Sequence, residues 1–456
     1  MIPKEFSEKM KIILGDEYDA FIEALEGGSA VRGLRVNLIK TNVEKLTDSG
    51  EFALEPIPYA ENGFILREDR QIGASPFHHA GMIYMQDPGA MASVSALDIQ
   101  PDWWVADLCS APGGKSSQVA ERLGEGGFLL SNEYVPKRAK IIVGNFERLG
   151  VRNAMVTSLD TAEIAKMYTA VFDLVIADAP CSGEGMFRKS EEARTEWSPE
   201  NVDICAKRQR EILENASGLV KPGGYLLYST CTYSPEENEE RVSDFILSHP
   251  DYKIVPVKSA VEKCTSPGMS EYSEVESINL TRRFYPHVTE GEGQYVALLQ
   301  RSKNIDIKQT ILYKDEAKPL IKQEKTVVDA FFKEALTRIP KGRVAKVGEN
   351  IVLVSHDCPI PKRSVFMSGT LLGEIRGSAL IPSHQFFSVY GELFKSKARL
   401  TKDDARVEKY LRGEEIDDKD GLKGWCAVTF EGATLGGGKA SGGRIKNHYP
   451  KGLRTR

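Results

Sequence analysis

The chain has 456 residues, of which 41% are hydrophobic and 27% are charged. This composition supports packed cores and excludes a disordered chain, and the length is typical of about three domains. The formal net charge of −5 excludes the strongly basic surface found in many nucleic-acid-binding proteins, so any contact with a polyanion is expected to be local.

The chain contains seven cysteines, and none of them belongs to a Cys-x-x-Cys pair. No His-Glu-x-x-His motif occurs either, so the sequence predicts no metal site. An odd number of cysteines in a long chain favours free thiols, as in a reducing cytoplasm. The chain has no long uncharged apolar run, and its first residues form no apolar signal core. These two features argue against a membrane span and against secretion.

Residues 1–75 are predicted to form a small α+β module. Apolar residues recur at helical spacing from Phe6 to Leu25, and the stretch Leu34 to Leu38 alternates like a strand. Arg32 and Arg35 flank or lie in this strand, and we interpret them as part of a solvated face.

Residues 76–302 alternate between short apolar runs and amphipathic stretches. The apolar runs predict strands at 103–106, 128–130, 154–157, 171–177, 225–228 and 294–299. The amphipathic stretches predict helices at 90–97, 116–123, 136–149 and 204–219, and a further helix is expected to begin at Pro235 with Ser234 as its cap. This alternation predicts a parallel, doubly wound, Rossmann-like sheet. Ligands of such sheets bind at the carboxyl ends of the strands.

The remaining chain is predicted to contain a linker at 303–325, a small α+β domain at 326–384 and a last domain at 385–456. From Gly437 to Arg456 the last domain has six Lys and Arg residues and no Asp or Glu. This basic tail can hold backbone phosphates, and it can also be a solvated terminus.

The carboxyl end of the 103–106 strand carries the most distinctive motif of the chain. The motif consists of Asp107, Leu108, Cys109, Ser110, Ala111, Pro112, Gly113, Gly114 and Lys115. Gly-rich turns between a strand and a helix often hold nucleotide-like ligands. A triphosphate-binding loop needs a glycine where this chain has Cys109, and the pattern Gly-x-Gly-x-x-Gly is absent. The carboxyl group of Asp107 suits an uncharged or cationic ligand better than a phosphate.

Two further acidic residues end the next two predicted strands. Glu133 lies 19 residues after Gly114, where a carboxylate can bind both hydroxyls of a ribose. Asp160 ends the following strand, where a carboxylate can accept a hydrogen bond from an adenine amino group. A ribose and an adenine without a phosphate grip indicate S-adenosyl-L-methionine as the cofactor. Lys115 is then available for the methionine carboxylate or for an acidic residue of the site. Taken alone, Glu133 can equally be a surface carboxylate.

Two cysteines follow the ends of two other strands, in Asp178-Ala-Pro-Cys181 and in Thr230-Cys231. A single cysteine in a strand is usually a small buried apolar residue, and two cysteines can form a redox pair. Beside S-adenosyl-L-methionine, a thiolate serves the methylation of an unreactive ring carbon. Addition of a thiolate to C6 of cytosine makes C5 nucleophilic, after which a base removes the C5 proton and the thiol leaves. Asp178 is the candidate acid or hydrogen-bond donor at N3 of the base.

These motifs resemble those of the Sun-type RNA 5-methylcytosine methyltransferases over residues 84–301. The stretch Cys109 to Lys115 resembles the cofactor loop of that family. Its further cofactor-contacting acidic residues are matched by Glu133, Asp160 and Asp178.

The resemblance also implies roles for the two cysteines. Cys231, in the Thr-Cys motif, takes the place of the family's nucleophile, and Cys181, in the Pro-Cys motif, that of the cysteine that helps to release the product. DNA cytosine methyltransferases attack with the Pro-Cys cysteine instead. The presence of both motifs therefore implies an RNA substrate and no DNA substrate.

The overall layout resembles the bacterial F-type 16S rRNA methyltransferases, and the last domain resembles a PUA-like RNA-binding fold. The resemblance implies 16S rRNA or the small ribosomal subunit as the partner, with the target base out of its stack. A tRNA cytosine-C5 methyltransferase and a non-catalytic rRNA-binding assembly factor stay open as alternatives. Arg282, Arg283 and His287 are candidates for RNA contacts near the site, and structural pairing with acidic residues is equally plausible for them.

Overall fold

The computed structural model describes residues 2–27 and 30–455. Its N-terminal module consists of α1 (Lys4–Leu14), α2 (Tyr18–Gly27), β1 (Gly33–Val36), α3 (Val43–Asp48), β2 (Leu54–Pro56), β3 (Gly63–Leu66), α4 (Pro76–His79) and β4 (Ile83–Met85). The strands form an antiparallel sheet in the order β2-β3-β1-β4. The single helix predicted from Phe6 to Leu25 is wrong in one respect. Gly15 takes a left-handed backbone conformation with a φ of 52°, which ends α1 before α2 begins.

The central domain follows. Its elements are α5 (Pro88–Ser95), β5 (Trp104–Asp107), α6 (Gly114–Ala120), β6 (Phe128–Asn132), α7 (Pro136–Leu149), β7 (Ala154–Thr157), α8 (Thr161–Met167), β8 (Tyr168–Thr169), β9 (Phe172–Asp178), α9 (Glu191–Glu196), α10 (Pro199–Ser217), β10 (Val220–Thr230), α11 (Glu239–Ser248), β11 (Tyr252–Ile254), α12 (Ser259–Glu262), β12 (Ser266–Pro267), β13 (Arg282–Phe284) and β14 (Gln294–Arg301).

The C-terminal part contains two more sheets. Its elements are β15 (Thr310–Ile311), α13 (Lys322–Ala335), β16 (Arg343–Val347), β17 (Asn350–Val354), β18 (Val365–Ser368), β19 (Thr370–Arg376), β20 (Ala379–Pro382), α14 (His384–Tyr390), β21 (Ser396–Leu400), α15 (Arg406–Leu411), β22 (Ile416–Asp417), β23 (Gly424–Phe430), β24 (Ala433–Ser441) and β25 (Arg444–Asn447). The two sheets have the orders β16-β17-β19-β20 and β21-β23-β24-β25-β22. Short 3-10 helices lie at Gly15–Glu17, Ile72–Ala74, Glu184–Met186, Pro235–Glu237, Ser270–Tyr272, Glu276–Leu280, Gly391–Leu393 and Lys451–Leu453.

The central sheet has the order β12-β13-β14-β10-β9-β5-β6-β7-β18. Strands β7, β6, β5, β9 and β10 are parallel, whereas β14 and β18 run antiparallel to their neighbours. The chain winds outward from β5 in one direction through β6 and β7, and then resumes on the other side of β5 with β9 and β10. The predicted parallel, doubly wound, Rossmann-like sheet is confirmed. Its switch point lies between β5 and β9, where such folds place their ligands.

Local sequence signals explain why these elements begin and end where they do. The interior of β9 is apolar and buried, as expected for a strand covered on both faces. Helix α7 begins at Pro136 and ends before Gly150, which has a φ of 80°. Helix α10 is capped by the Ser198 side chain, which accepts a hydrogen bond from the backbone N–H of Asn201. In residues 2–27 and 30–455, no helix combines the length and the apolar character needed to span a lipid bilayer.

Two of the predicted domain boundaries fall within a single sheet or a single hydrophobic core. Strand β4 lies beyond the limit predicted after residue 75, yet it pairs with β1 and completes the N-terminal sheet. Helix α14 lies beyond the limit predicted at 384/385, yet its Phe386 and Phe387 pack into one core with Phe331 and Phe332 of α13. Both limits therefore have to move, because residues on either side of each limit share one core or one sheet.

The segment predicted as a linker at 303–325 is packed rather than free. Strand β15 pairs with β8, and the hydroxyl groups of Tyr313 and Tyr168 share a hydrogen bond of 2.5 Å. Helix α13 already begins at Lys322, before the predicted limit at 326. Strand β18, from the predicted small domain at 326–384, pairs with β7 at the edge of the central sheet. The linker prediction is wrong because this polar segment still contributes apolar side chains to the central core.

Arg35 is buried, in contrast to the solvated position predicted for it. Its guanidinium forms an ion pair with Glu121, and the two side chains are 1% and 0% exposed. It also donates hydrogen bonds to Gln86 Oε1 at 2.8 Å and to Ser117 Oγ at 2.6 Å. Because Arg35 lies on β1 and Ser117 on α6, this network fastens the N-terminal module to the helix that follows the Gly-rich turn.

Replacing Arg35 with Met is expected to lower the free energy of unfolding by about 3–5 kcal/mol, because it leaves Glu121 as a buried charge without its partner. The measurement is urea unfolding of the purified protein. Replacing Glu121 with Leu in the same chain removes the orphaned charge, so the double variant is expected to recover part of the loss. Equal stability of the single variant and the wild-type protein would show that this ion pair does not stabilise the fold.

Candidate active site

The predicted site residues converge on the carboxyl edge of the central sheet. Strand β5 ends at Asp107, β6 ends just before Glu133, β9 ends at Asp178, and β10 ends at Thr230. Strands β6, β5, β9 and β10 are consecutive in the sheet. The loops that follow them therefore line one continuous surface at the switch point.

Asp107 is buried at the start of the Gly-rich turn. Its Oδ2 accepts a hydrogen bond of 2.6 Å from Ser116 Oγ, whereas its buried Oδ1 has no hydrogen-bond partner among the described residues. Burial raises the pKa of Asp107 to about 7. A buried carboxyl oxygen without a partner is costly, and a donor or cation at this position would satisfy it.

The turn from Cys109 to Lys115 is held in one conformation by its neighbours. Ser110 donates to the carbonyl of Asn132 from its backbone N–H at 2.9 Å and from its hydroxyl at 2.8 Å. Two side chains of α7 donate hydrogen bonds to the carbonyl oxygens of Ala111 and Pro112, at 3.2 and 2.9 Å respectively. Gly113 has a φ of 104°, a left-handed conformation that favours glycine. Gly114 begins α6 directly after it. The turn is thus a rigid surface next to Asp107.

The thiol of Cys109 has a strongly raised pKa in this setting. It is half-buried, and burial, followed by the nearby carboxylate of Asp107, raises the pKa of its thiol far above the usual range. The structure places it in the turn but gives it no part in proton or group transfer.

The two acidic residues predicted to bind a nucleoside lie in different settings. Glu133 is buried, accepts a hydrogen bond of 3.0 Å from the backbone N–H of Val135, and lies 3.4 Å from the guanidinium of Arg138. Asp160 is exposed and caps α8 through the backbone N–H of Ala162 at 2.8 Å. Asp160 thus has a structural role as a helix cap, which sequence reasoning did not foresee, and its predicted contact with adenine stays a prediction.

Lys115 connects the turn to the β9 loop. Its Nζ lies 2.8 Å from Asp178 Oδ2, and Ser229 Oγ donates to Asp178 Oδ1 at 2.7 Å. Burial lowers the pKa of Lys115, but attraction to Asp178, with a smaller contribution from Cys231, outweighs it and raises the pKa above the usual range. Lys115 therefore keeps its positive charge beside Asp178 and close to Cys231.

Cys181 and Cys231 lie side by side after neighbouring strands. Their sulfur atoms are 3.2 Å apart, and the backbone N–H of Cys231 donates to the sulfur of Cys181 at 3.3 Å. Both side chains are partly exposed. The structure thus brings the two predicted cysteines together, beside the Lys115–Asp178 ion pair.

Sequence reasoning missed two buried carboxyl groups beneath the cysteines. Glu184 accepts from Trp197 Nε1, Thr232 Oγ1, the backbone N–H of Tyr233 and Ser234 Oγ at 2.9, 2.8, 2.8 and 2.5 Å. Glu237 is held in the same way by groups described below. Glu237 lies inside the Thr-Cys motif and Glu184 just after the Pro-Cys motif. An acidic residue in a loop is normally exposed, and no sequence signal marks these two as buried.

The cap predicted for Ser234 is wrong. Its hydroxyl donates to Glu184 and caps no helix, and Pro235–Glu237 forms a short 3-10 turn before α11 begins at Glu239. The Ser234 hydroxyl therefore donates its hydrogen bond to a buried carboxylate and does not cap the backbone of a helix.

The three basic residues considered for RNA contacts near the site are paired within the protein. Arg283 forms a buried ion pair with Glu239. Arg282 donates to Thr265 Oγ1 at 2.9 Å, and His287 Nε2 lies 3.0 Å from Glu17. Structural pairing is the interpretation that the contacts support. No cluster of His, Cys, Asp and Glu in the described part of the chain has an arrangement that could hold a metal ion.

Asp107→Asn is expected to make the protein more stable at pH 8. Because the pKa of Asp107 is raised to about 7, the folded protein keeps a proton that the unfolded chain releases near pH 4. The contribution of Asp107 to the free energy of unfolding therefore falls as the pH rises from about 4 to about 7. Asn has no such dependence, so the variant's advantage is expected to grow by about 4 kcal/mol over this interval.

Urea unfolding at a series of pH values measures this difference. Burial also raises the pKa values of Glu147 and Glu237 to about 7, but these groups are present in both proteins and cancel in the comparison. Parallel stability profiles for the two proteins would contradict the prediction.

The sheet, the switch point and the site together define a methyltransferase of the Rossmann-like class. A solved methyltransferase homologue from Pyrococcus horikoshii is 30% identical, with a TM-score of 0.58 over 66% of this chain and 95% of that chain. A structure of NSun6 from Pyrococcus horikoshii with SFG, at 20% identity and a TM-score of 0.57, covers 66% of this chain and 99% of that one. The second likeness supports the fold alone.

Three family models match successive parts of the chain. They are the N-terminal domain of 16S rRNA methyltransferase RsmF at residues 2–88, the 16S rRNA methyltransferase RsmB/F at 94–300, and the methyltransferase RsmF PUA domain at 397–455. The ribosomal RNA small subunit methyltransferase F of Vibrio parahaemolyticus is 31% identical over 99% of this chain and 97% of its own length. The chain belongs to the ribosomal RNA small subunit methyltransferase F family.

Proposed function

We propose that the protein forms 5-methylcytosine in 16S rRNA, with S-adenosyl-L-methionine as the methyl donor and Cys231 as the nucleophile. One observation carries the proposal. Two cysteine sulfurs lie 3.2 Å apart at the switch point, beside the Lys115–Asp178 ion pair. A thiolate next to a methyl donor is the chemistry that an unreactive ring carbon requires.

The residues at the switch point fit S-adenosyl-L-methionine. The free oxygen of Asp107 suits the ammonium group of its methionine part, and the buried carboxylate of Glu133 suits the two ribose hydroxyls. Asp160 is proposed to accept from the adenine amino group, and the turn from Cys109 to Gly114 to form the wall of the site. When bound, the cofactor supplies an electrophilic methyl group.

Cys231 is proposed to add to C6 of the target cytosine as its thiolate. The ammonium group of Lys115 interacts electrostatically with this sulfur. Addition moves electron density to C5 and N3 of the base, and C5 then takes the methyl group. A base next removes the C5 proton, and the bond between the Cys231 sulfur and C6 breaks, which restores the aromatic ring and the thiolate.

Asp178 is proposed to bind the edge of the cytosine ring. As a carboxylate it accepts a hydrogen bond from the exocyclic amino group, and with a proton it donates to N3. Lys115 Nζ holds the Oδ2 atom of this carboxyl group at 2.8 Å. Ser229 holds the other carboxyl oxygen, so the group presents one fixed orientation to the base.

Cys181 is proposed to assist the release of the methylated product. Its sulfur lies next to the Cys231 sulfur, and therefore next to the carbon–sulfur bond that has to break. The target base must leave its stack to reach Cys231, and the PUA domain is the proposed holder of the surrounding RNA.

Bisulfite sequencing of RNA from cells with and without the protein tests the proposal. A cytosine of 16S rRNA is expected to be protected from conversion only when the protein is present. In vitro, purified 16S rRNA, small ribosomal subunits and tRNA should each be offered with radiolabelled cofactor, to tell an rRNA substrate from a tRNA substrate. Cofactor binding with no methylation of any of these RNAs would favour a non-catalytic assembly factor instead.

A further inference from the structure

Glu237 is a fully buried carboxyl group directly behind the Cys181 loop. It accepts hydrogen bonds from the backbone N–H of Ser182 at 3.0 Å, from Ser182 Oγ at 2.5 Å and from Gln209 Nε2 at 2.7 Å. In the described part of the chain, no lysine or arginine pairs with it, and its residue is 0% exposed. A buried carboxyl group without a cationic partner destabilises the folded protein. Its presence here therefore indicates a functional role.

The effect of Glu237 falls on Cys181, the neighbour of Ser182. The pKa of Cys181 lies well above its usual range because its sulfur shares a hydrogen bond with Cys231, because the surrounding protein shields much of the thiol from water, and because Cys231 and Glu237 are close. The backbone N–H of Cys231 acts in the opposite direction, with a smaller effect. Three of the causes that raise the pKa of Cys181 are its desolvation and its two interactions with Cys231. The fourth is the charge of Glu237, the only contribution from a residue outside the cysteine pair.

The two sulfurs have neighbours of opposite charge. Attraction between Lys115 and Cys231 contributes to the raised pKa of Lys115. Glu237 accepts a hydrogen bond from the backbone N–H of Ser182, the residue after Cys181. Two thiols 3.2 Å apart would otherwise compete to form the thiolate, and only one of them can serve as the nucleophile.

We propose that Glu237 is a positioning residue that keeps Cys181 as the neutral thiol and so reserves the thiolate for Cys231. The proposal rests on the function proposed above, in which Cys231 attacks and Cys181 assists release. A neutral Cys181 cannot add to C6, and it holds a proton next to the bond that breaks. The charge of Glu237 thus separates the roles of two chemically identical side chains.

The surroundings of Glu237 determine the pH range in which it acts. Burial, countered by the Ser182 hydroxyl and reinforced by the carboxylate of Glu184, raises the pKa of Glu237 to about 7. Tyr228, from β10, and Cys205, from α10, also face it. Two cations act on these neighbours, namely Arg241 of α11 on Tyr228 and Arg208 of α10 on Cys205. Above about pH 7 the carboxylate is charged and its effect on Cys181 is full, whereas below that pH the effect is lost.

Alkylation with iodoacetamide tests the proposal on the full chain without RNA or cofactor. The modification of Cys181 is followed by mass spectrometry from pH 6 to pH 10. In the wild-type protein, the midpoint for Cys181 is expected above the value of about 8.5 for a free thiol. In Glu237→Gln the midpoint should fall, so that Cys181 reacts about tenfold faster at pH 8. The variant is expected to fold, because the Ser182 hydroxyl can reverse its hydrogen bond to accept from the new amide.

Two further variants separate the charge from the structural contact. Ser182→Ala removes one hydroxyl group and its two hydrogen bonds but keeps the carboxylate, so Cys181 should stay slow. Glu237→Asp should stay close to the wild-type protein. A Ser182→Ala protein as reactive as Glu237→Gln would overturn the proposal, since loosening alone would then explain the result. The proposal would also be overturned if Cys181 of the wild-type protein were alkylated with the midpoint pH of a free thiol. That measurement needs no variant.

The assay contains no substrate, so its result is independent of methylation. A wild-type protein that fails to methylate RNA but protects Cys181 as described would contradict the proposed function and leave the role of Glu237 standing. Conversely, the wild-type protein can methylate 16S rRNA while Cys181 has the same alkylation profile in Glu237→Gln as in the wild-type chain. That result would support the proposed function and contradict the role of Glu237.

Discussion

Cys231→Ala is expected to abolish methylation of 16S rRNA, with a loss of at least about 10⁴-fold in rate, because removing a covalent nucleophile leaves only binding and orientation. Cys181 is not expected to take its place, although the two sulfurs are 3.2 Å apart, because desolvation and the carboxylate of Glu237 still raise its pKa when Cys231 is absent. The measurement is transfer of a radiolabelled methyl group from the cofactor to RNA under single-turnover conditions.

Cys264→Ala is a suitable control for the loss of a thiol. Cys264 is half-buried like Cys231, but it lies after α12, away from the loops that follow β5, β6, β9 and β10. This variant should retain wild-type activity, and thermal unfolding should show that both variants are folded. If Cys231→Ala methylates at an appreciable rate and Cys181→Ala does not, the assignment of the two cysteines has to be reversed.

Much of the central domain could be predicted because its signals are local. The strand at 172–178 contains a buried apolar run at 174–177, and Pro136 and Gly150 mark the two ends of α7. Alternation of such strands with helices admits few topologies, and the topology places Asp107 and Asp178 at one edge. The convergence of the predicted residues therefore follows from local patterns and from one rule of connection.

Other features depend on distant partners and could not be predicted. Arg35 is buried because Glu121, 86 positions away, is buried beside it. Glu184 and Glu237 are buried because hydroxyl, amide and indole donors from several loops surround them. Sequence composition treats all these charged residues as exposed, since the partner that makes burial possible is chosen by the tertiary fold.

The domain limits failed for a related reason. The segment from 303 to 325 is polar enough to suggest a linker, but Tyr313 packs and hydrogen-bonds against Tyr168 of the central domain. Likewise, the core that α13 and α14 share crosses the limit predicted at 384/385. A composition shift indicates where exposure changes on average, and a few apolar residues are enough to dock such a segment.

The adenine contact predicted for Asp160 is inferred only from its position at the end of a strand. The residue follows the strand that the pattern indicates, but its side chain forms a capping box with Glu163 on α8. A helix cap and a ligand contact both favour an acidic residue at the end of a strand. Glu133 is buried and caps no helix, and its partners are the backbone N–H of Val135 and the guanidinium of Arg138.

Cys181→Ala is expected to trap a covalent complex between the protein and the RNA. Addition through Cys231 and methyl transfer should still occur, because Lys115 and Asp178 are unchanged. Breakdown of the adduct should slow by about 10²-fold or more, the usual contribution of a group that assists proton transfer. A denaturing gel measures the complex as a protein band shifted by the mass of a short target RNA, and one methyl group per protein should be transferred in a burst.

The double variant Cys181→Ala with Cys231→Ala is the control, and it should form no complex. The trapped adduct also connects the two sulfurs to the same event, because release is slowed only if Cys181 lies next to the carbon–sulfur bond that Cys231 forms. Normal turnover by Cys181→Ala, with no complex on the gel, would show that this thiol takes no part in release. The neutral state that Glu237 is proposed to maintain would then have no function in the reaction, even if alkylation confirmed it.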